Sequence, residues 1–283
     1  MPKDRNSNEP PEEVVAFDVQ GERVVGTLRL AAGEPQPVIL LFPGFGGVRD
    51  ELQIPSQGKG IFAYIAGSFA SLGFSSLRID FRGSGESDGL FENTTYSSQI
   101  ADGIAAMEFL RSDPRLDGRR IFLLGWSQGG LVAAAIGGRT NRPSGIALWA
   151  AVGEPSVSFP ALIGRETYIR GLAEESTATE IVMPWGASLK LRHPFFQEVA
   201  TYDPFDEIKA YDGPLFVAEG SLDTAIPAGT GRKFVSAHNG DSELRVSPMD
   251  HTFNTSRGTE ALDALVMATA NFFALRPAFL KRT

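Results

Sequence analysis

The 283-residue chain contains no cysteine, which excludes disulfides, thiolate metal sites and a cysteine nucleophile. Histidine is scarce: His193, His238 and His251 are the whole set, so the search for a general base is short. No apolar run approaches the roughly 20 residues that span a bilayer. Basic charge is in the minority, 26 Lys and Arg against 34 Asp and Glu for a net −8, and this argues against nucleic acid or an anionic membrane surface as a partner. Met1 to Pro11 lack the apolar core of a signal peptide. Residues 1–12 read as a disordered tail, and a cytoplasmic location is the expectation that results. No internal repeat or low-complexity tract appears.

Strand and helix patterns alternate along most of what remains. Val14 to Val19 and Arg23 to Leu30, split by Gln20-Gly21-Glu22, predict an opening hairpin. Pro37 to Phe42 is a continuous apolar run, the mark of a strand covered on both faces. A helix over Ile61 to Leu72 stopping at Gly73, and a strand over Phe74 to Ile79, come next. A helix capped by Thr94 or Thr95 then runs to Leu110 with Ile100, Ile104, Met107 and Leu110 on one face. A strand from Ile121, a small-residue helix after Ser127 and a strand over Ile146 to Ala150 complete the first half. The rhythm breaks over 151–211, an irregular, aromatic-rich span with Ile181 to Leu191 readable as a hairpin turning near Trp185-Gly186. It resumes with a strand over Pro214 to Glu219, a helix over Ala228 to His238, a strand over Ser242 to Ser247 and a closing helix over Thr259 to Phe273. Such alternation implies right-handed βαβ crossovers and an α/β fold with a mostly parallel, doubly wound sheet. Residues 13–150 and 212–283 would form its core, with 151–211 inserted as a cap after the sixth strand.

Glycine is plentiful, 31 residues, and one pair of them frames the chemistry. Ile121-Phe122-Leu123-Leu124-Gly125-Trp126-Ser127-Gln128-Gly129-Gly130 is a β-favouring run that ends in Gly-x-Ser-x-Gly and passes at once into a helix. This context makes a nucleophile elbow, a sharp strand-to-helix turn that lifts the serine hydroxyl against a helix N-terminus. A side chain at Gly125 or Gly129 would keep strand and helix from passing so closely. A second match, Gly85-Glu86-Ser87-Asp88-Gly89, follows no strand and starts no helix, so Ser87 reads as loop.

A serine hydroxyl needs a base, and the base an orienting group. The doubly wound hydrolase order is Ser, acid, His, and here Ser127, Asp223 and His251 occur in that order at intervals of 96 (223 − 127) and 28 (251 − 223) residues. Each falls just after a strand's C-terminal end, where such sheets gather their ligands. His238, near a helix end, suits a solvated or dipole-pairing role, and His193, before Pro194 in the insertion, a structural or substrate-contacting one. Among rival acids, Asp250 adjoins His251 too closely to face it, Glu219 lies within a strand, and Asp80 ties down its own loop. The backbone N–H groups of Gln128, at the helix start, and Phe45, in Pro43-Gly44-Phe45-Gly46-Gly47, are the candidate oxyanion donors. Trp126, Trp185 and Tyr168 are the candidate substrate contacts. Neither a metal nor an organic cofactor is required.

Residues 37–151 and 214–275 resemble the α/β-hydrolase carboxylesterases, and among them the cinnamoyl/feruloyl esterases. The likeness rests on Pro43-Gly44-Phe45, on Asp80 to Gly89 with Phe91-Glu92-Asn93, on Ser127-Gln128-Gly129-Gly130, and on Asp250-His251-Thr252-Phe253. It implies a triad at Ser127, Asp223 and His251, an oxyanion hole at the Phe45 and Gln128 amides, and a cap over the acyl pocket at 151–211. That family usually has histidine where this chain has Pro43, Trp126 and Ser84, so the pocket walls differ while the triad is kept. The expectation is a serine carboxylesterase for small acyl or aryl esters acting through an acyl-enzyme, its partner a small-molecule ester and its oligomeric state, homodimer included, open. The rivals are an amidase or peptidase, a thioester or carbon–carbon hydrolase with the same triad, and a non-catalytic ligand-binding relative.

Overall fold

The computed structural model describes residues 12–33, 35–184 and 186–276. The expected tail lies outside them except for Glu12, which opens the first strand. Glu12–Val19 (β1) pairs antiparallel with Glu22–Arg29 (β2) through a two-residue turn in which Gln20 and Gly21 both have positive φ, the geometry that matches strand twist. Gln36–Phe42 (β3) comes after, then a two-residue ribbon of Gln53–Ile54 (β4) and Lys59–Gly60 (β5) that no periodicity announced. Ile61–Ser71 (α1), Ser75–Ile79 (β6) and Tyr96–Ser112 (α2) come next. Thr95 caps α2: its hydroxyl accepts from the Ser98 N–H while Ser98 Oγ accepts from the Thr95 N–H, the reciprocal capping arrangement. Leu116–Trp126 (β7), Gln128–Thr140 (α3) and Gly145–Trp149 (β8) close the first half.

The span expected to be irregular is mostly helical. Pro155–Ile163 (α4), Arg165–Ala173 (α5), His193–Thr201 (α6) and Pro204–Lys209 (α7) surround an antiparallel pair, Thr179–Val182 (β9) with Ser188–Leu191 (β10). Leu215–Gly220 (β11), Thr230–Ala237 (α8), Ser242–Ser247 (β12) and Glu260–Ala274 (α9) then complete the chain. Helix α8 starts later than the sequence predicted, because Gly229 before it sits at φ +84°.

Eight strands form one sheet in the order β1-β2-β6-β3-β7-β8-β11-β12, antiparallel at β1, β2 and β6 and parallel from β6 onward. The insertion leaves after β8, the sixth of these strands, and the chain re-enters at β11. Alternation along β3 shows why the run is apolar throughout. Val38, Leu40 and Phe42 pack with α2 and α3 through Ile100, Leu131 and Ile136, while Ile39 and Leu41 join Phe62, Phe69, Leu265 and Phe273 of α1 and α9 on the other side. Each of these strand side chains is fully buried, worth about 1.5–3 kcal/mol apiece against exposure. With both faces covered, the accessible part of the parallel strands is their C-terminal edge. Among the described residues, no helix is long and apolar enough to cross a membrane, and no cluster of three metal-ligating side chains occurs.

Candidate active site

The turn after β7 shows its strain directly. Ser127 has φ +56° and ψ −119°, a conformation costing on the order of 1–3 kcal/mol for a residue with a side chain. The surroundings hold it there: the Ser127 N–H donates to Trp149 O at 3.0 Å and its carbonyl accepts from Val152 at 3.0 Å. The flanking glycines are needed as the sequence implied. A Cβ on Gly125 would lie 2.0 Å from Gly129 O, and one on Gly129 2.3 Å from Phe42 O. The serine therefore stands at the N-terminus of α3, where the helix dipole favours developing negative charge.

Three segments meet at its hydroxyl. Asp223 lies just after β11 in a turn where its Oδ1 accepts from the N–H groups of Ala225 (2.7 Å) and Ile226 (3.1 Å). Its other oxygen, Oδ2, lies 2.8 Å from His251 Nδ1, and the opposite ring nitrogen, Nε2, lies 3.2 Å from Ser127 Oγ. A carboxylate only accepts, so Nδ1 carries the proton and Nε2 is left to accept from the serine. The aspartate side chain is 3 % exposed and the histidine 22 %: the acid is sealed in while the imidazole still reaches the opening.

The rival groups are occupied elsewhere. Asp250 Oδ1 accepts from the N–H groups of Thr252 and Asn254 in its own loop. Glu219 accepts from the N–H groups of Gly229 and Gly231, both at 2.7 Å, and ties the start of α8 to β11. Asp80 accepts from Arg49 N–H and Glu86 N–H. Ser87 donates to Asp80 O and accepts from Val25 N–H, so the second Gly-x-Ser-x-Gly is structural. His193 Nδ1 lies 3.3 Å from Gly171 O within the insertion. Of the solvated and dipole-pairing roles expected of His238, the solvated one does not hold: the residue stands at the end of α8, but it is 7 % exposed and packs 5.7 Å from the Tyr211 ring. Burial pushes its pKa below the ordinary histidine value, against the raising effect of backbone groups at Gly213 and Tyr211.

Beside Ser127 lies a cavity of about 180 Å³, walled by Phe45, Gln128, Val152, Phe159, Leu162 and Ile226. Phe159 and Leu162 come from α4 of the insertion. Phe45 is gripped by aromatic neighbours: Phe159 at 4.7 Å, Phe195 of α6 at 5.7 Å and Phe91 at 5.8 Å between ring centroids. The insertion thus packs on the loop after β3 as well as on the cavity. Gln128 is the first residue of α3, so its N–H has no acceptor within the helix. Its side chain donates to Gln99 Oε1 at 2.8 Å in a buried contact between α3 and α2.

Of the expected substrate contacts, Trp126 takes another place. As the last residue of β7 it lies outside the cavity lining, its Nε1–H donates to His251 O at 2.9 Å, and its ring packs 5.1 Å from the imidazole. It supports the histidine from behind. Tyr168 lies on α5 against Phe196, outside the cavity lining, and Trp185 lies outside the described residues. The cavity walls Val152, Leu162 and Ile226 carried no motif in the sequence, and only the aromatic richness of 151–211 pointed toward Phe159.

Comparisons with known proteins agree with this architecture. The sequence profile of the Prolyl oligopeptidase family matches residues 62–252, a stretch that includes Ser127, Asp223 and His251. An uncharacterized 31.7 kDa protein in the traX-finO intergenic region of Escherichia coli is 33% identical over 110 residues, 38% of this chain and 35% of that protein. The chain therefore spans about a third of the length of the curated relatives it matches. Among solved structures, Est1E from Butyrivibrio proteoclasticus with ferulic acid bound superposes with a TM-score of 0.72 at 18% identity, over 93% of this chain and 98% of that one. DcsB in complex with its substrate analogue gives 0.75 at 19% identity, over 94% and 99%. At such identities these two likenesses speak for the fold. Together with the matched family profile, the parallel sheet and the elbow, they make this chain an α/β hydrolase belonging to the prolyl oligopeptidase family.

Proposed function

We propose that the chain is a serine carboxylesterase for small acyl or aryl esters, working through an acyl-enzyme on Ser127. The observation that carries this reading is the hydrogen-bonded line Asp223–His251–Ser127 opening onto an apolar cavity. In the proposed cycle Ser127 Oγ attacks the ester carbonyl carbon while His251 Nε2 takes its proton. The carbonyl oxygen becomes an anion held by the Phe45 and Gln128 N–H groups. Collapse expels the alcohol, which leaves with the proton from His251. Water, deprotonated by the same nitrogen, then attacks the acyl carbon, and the acid departs as Ser127 regains its proton. Asp223 keeps Nδ1 protonated and stabilises the charged imidazole.

The cavity supports the choice of substrate class. At about 180 Å³ it lies below the usual range of roughly 300–1,000 Å³ for drug-sized ligands, which suits a short acyl or single-ring group and leaves a polymer or long lipid chain outside. In this reading residues 151–211 serve as the cap, and α4 supplies the walls that contact the acyl group.

Family membership favours amide or peptide hydrolysis as a second reading. The two are separated by turnover of p-nitrophenyl acetate, the corresponding p-nitroanilide and methyl ferulate by the wild-type protein and S127A. The esterase reading expects ester turnover lost in S127A and anilide turnover at least tenfold lower. Anilide turnover equal to or above ester turnover would replace it with the peptidase reading.

A further inference from the structure

The loop after β3 carries Phe45 between three glycines, yet a chain so free to move makes a poor preorganised donor. Something must hold it. Trp126 limits it on one side, since a Cβ on Gly44 would lie 2.9 Å from that ring. On the other side the side chain of Glu51 folds back seven residues. Its Oε1 accepts from Gly44 N–H at 3.0 Å. Its carboxyl also lies so close under Gly47 that an added Cβ there would sit 2.0 Å from Oε2. The Glu51 main chain is itself pinned, its N–H donating to Val48 O at 3.0 Å and its carbonyl accepting from Ile61 N–H, the first residue of α1, at 3.0 Å.

We propose that Glu51 is the positioning residue of the oxyanion loop: held to the start of α1, its carboxyl props Gly44 and Gly47 and so fixes the intervening Phe45 N–H toward the carbonyl oxygen of the substrate. This rests on the esterase reading above. The state of the carboxyl fits the task. Burial, reinforced by the nearby charge of Asp80 and opposed by the Gly44 N–H, pushes its pKa up to about 8, so near neutrality it carries a proton. An ionised carboxylate under a developing oxyanion would oppose the charge the site must stabilise, whereas a neutral carboxyl supplies the hydrogen bond without that penalty. A neutral strut is also one that glutamine reproduces in shape and in hydrogen-bonding capacity.

The test compares wild type, E51A and E51Q for kcat and KM on p-nitrophenyl acetate and for inhibition by phenylboronic acid, whose tetrahedral adduct with a serine places an oxygen where the oxyanion forms. A misplaced donor costs about ten- to a hundredfold in kcat. The expected result for E51A is a loss in that range with KM within about threefold of wild type, boronate affinity falling in step with kcat. E51Q should recover wild-type values to within about threefold. If E51A does not accumulate folded, E51D, one methylene short of Gly44, takes its place with the same expected loss. Wild-type kcat and boronate affinity in E51A or E51D would overturn the inference, as would an E51Q as impaired as E51A, or a change confined to KM. A wild type without Ser127-dependent ester turnover would instead overturn the esterase reading beneath it.

Discussion

Replacing Asp223 by asparagine exchanges one oxygen for an NH₂ group, and the hydrogen bonds around it dictate the outcome. Asp223 Oδ1 accepts two backbone N–H groups, from Ala225 and Ile226. Only the carbonyl oxygen of an asparagine can keep both bonds, so its NH₂ group must turn to the position 2.8 Å from His251 Nδ1 now held by Oδ2. Facing a donor, Nδ1 must become the acceptor, which moves the imidazole proton to Nε2. That nitrogen then points a hydrogen at Ser127 Oγ and can no longer take one. The loss is of tautomer rather than of packing, because the residue's volume and its two backbone bonds are retained. The expected fall in kcat is about 10⁴-fold, or about 5 kcal/mol of barrier, by analogy with the same exchange in chymotrypsin-type enzymes. The assay is steady-state hydrolysis of p-nitrophenyl acetate alongside a thermal melt, with Tm expected within a few degrees of wild type. Activity within tenfold of wild type in a folded D223N would refute the reasoning and move the orienting group elsewhere.

Three further outcomes are expected on the same geometry. G129A forces a Cβ to 2.3 Å from Phe42 O and 2.5 Å from Pro43 O, so it should cost about 3 kcal/mol, the upper end for over-packing, whereas G67A in α1, whose Cβ would meet nothing closer than 3.6 Å, should be neutral or slightly stabilising; equal Tm values for the two would contradict the steric role of the elbow glycine. Because burial lowers the His238 pKa in the fold, the unfolded chain binds the extra proton first as pH falls below about 6.5. The stability linked to His238 is therefore complete above that pH and is lost below it, and H238F should show a flatter decline of Tm between pH 7.5 and 5; an unchanged slope would exclude His238 as a source. L162W, filling the cavity from α4, should lower kcat/KM for methyl cinnamate about tenfold more than for p-nitrophenyl acetate, within the 1–3 kcal/mol that pocket volume changes command; parallel losses on both esters would mean that the acyl group lies elsewhere.

Which parts of the fold and site were legible in the sequence has a physical pattern. The alternating core was plain because a strand buried on both faces leaves a continuous apolar run, as in Pro37 to Phe42, and an exposed-face helix leaves a 3.6-residue rhythm, as in Ile100 to Leu110. The elbow was plain because its glycines are a steric demand written in the local sequence. The helices of the insertion were not, although its hairpin was: Thr179–Val182 pairs antiparallel with Ser188–Leu191, as the pattern over Ile181 to Leu191 implies. Those helices are of six to nine residues, too short for a clear rhythm, and Pro155, Pro160, Pro194 and Pro204 interrupt the pattern while serving as N-terminal or tolerated positions. Trp126 adjoins Ser127 in sequence but not in the cavity lining, because the sharp turn at Ser127 separates the end of β7 from the start of α3. Glu51 left no trace at all, since its bond to Gly44 depends on how the loop folds back and no local periodicity encodes that. The helix-end position of His238 suits a solvated or a dipole-pairing role alike, and its burial against Tyr211, which removes the first, is a long-range contact of the same kind.

The central claim is that Ser127, activated by His251, carries the acyl group. Rapid mixing with p-nitrophenyl acetate, acid quench and peptide mass analysis test it most directly. One acetyl group is expected on the peptide bearing Ser127, with none on that bearing Ser87, and no acetylation in H251A on the same timescale. An acetyl group on another residue, or acetylation of Ser127 at an undiminished rate in H251A, would contradict it.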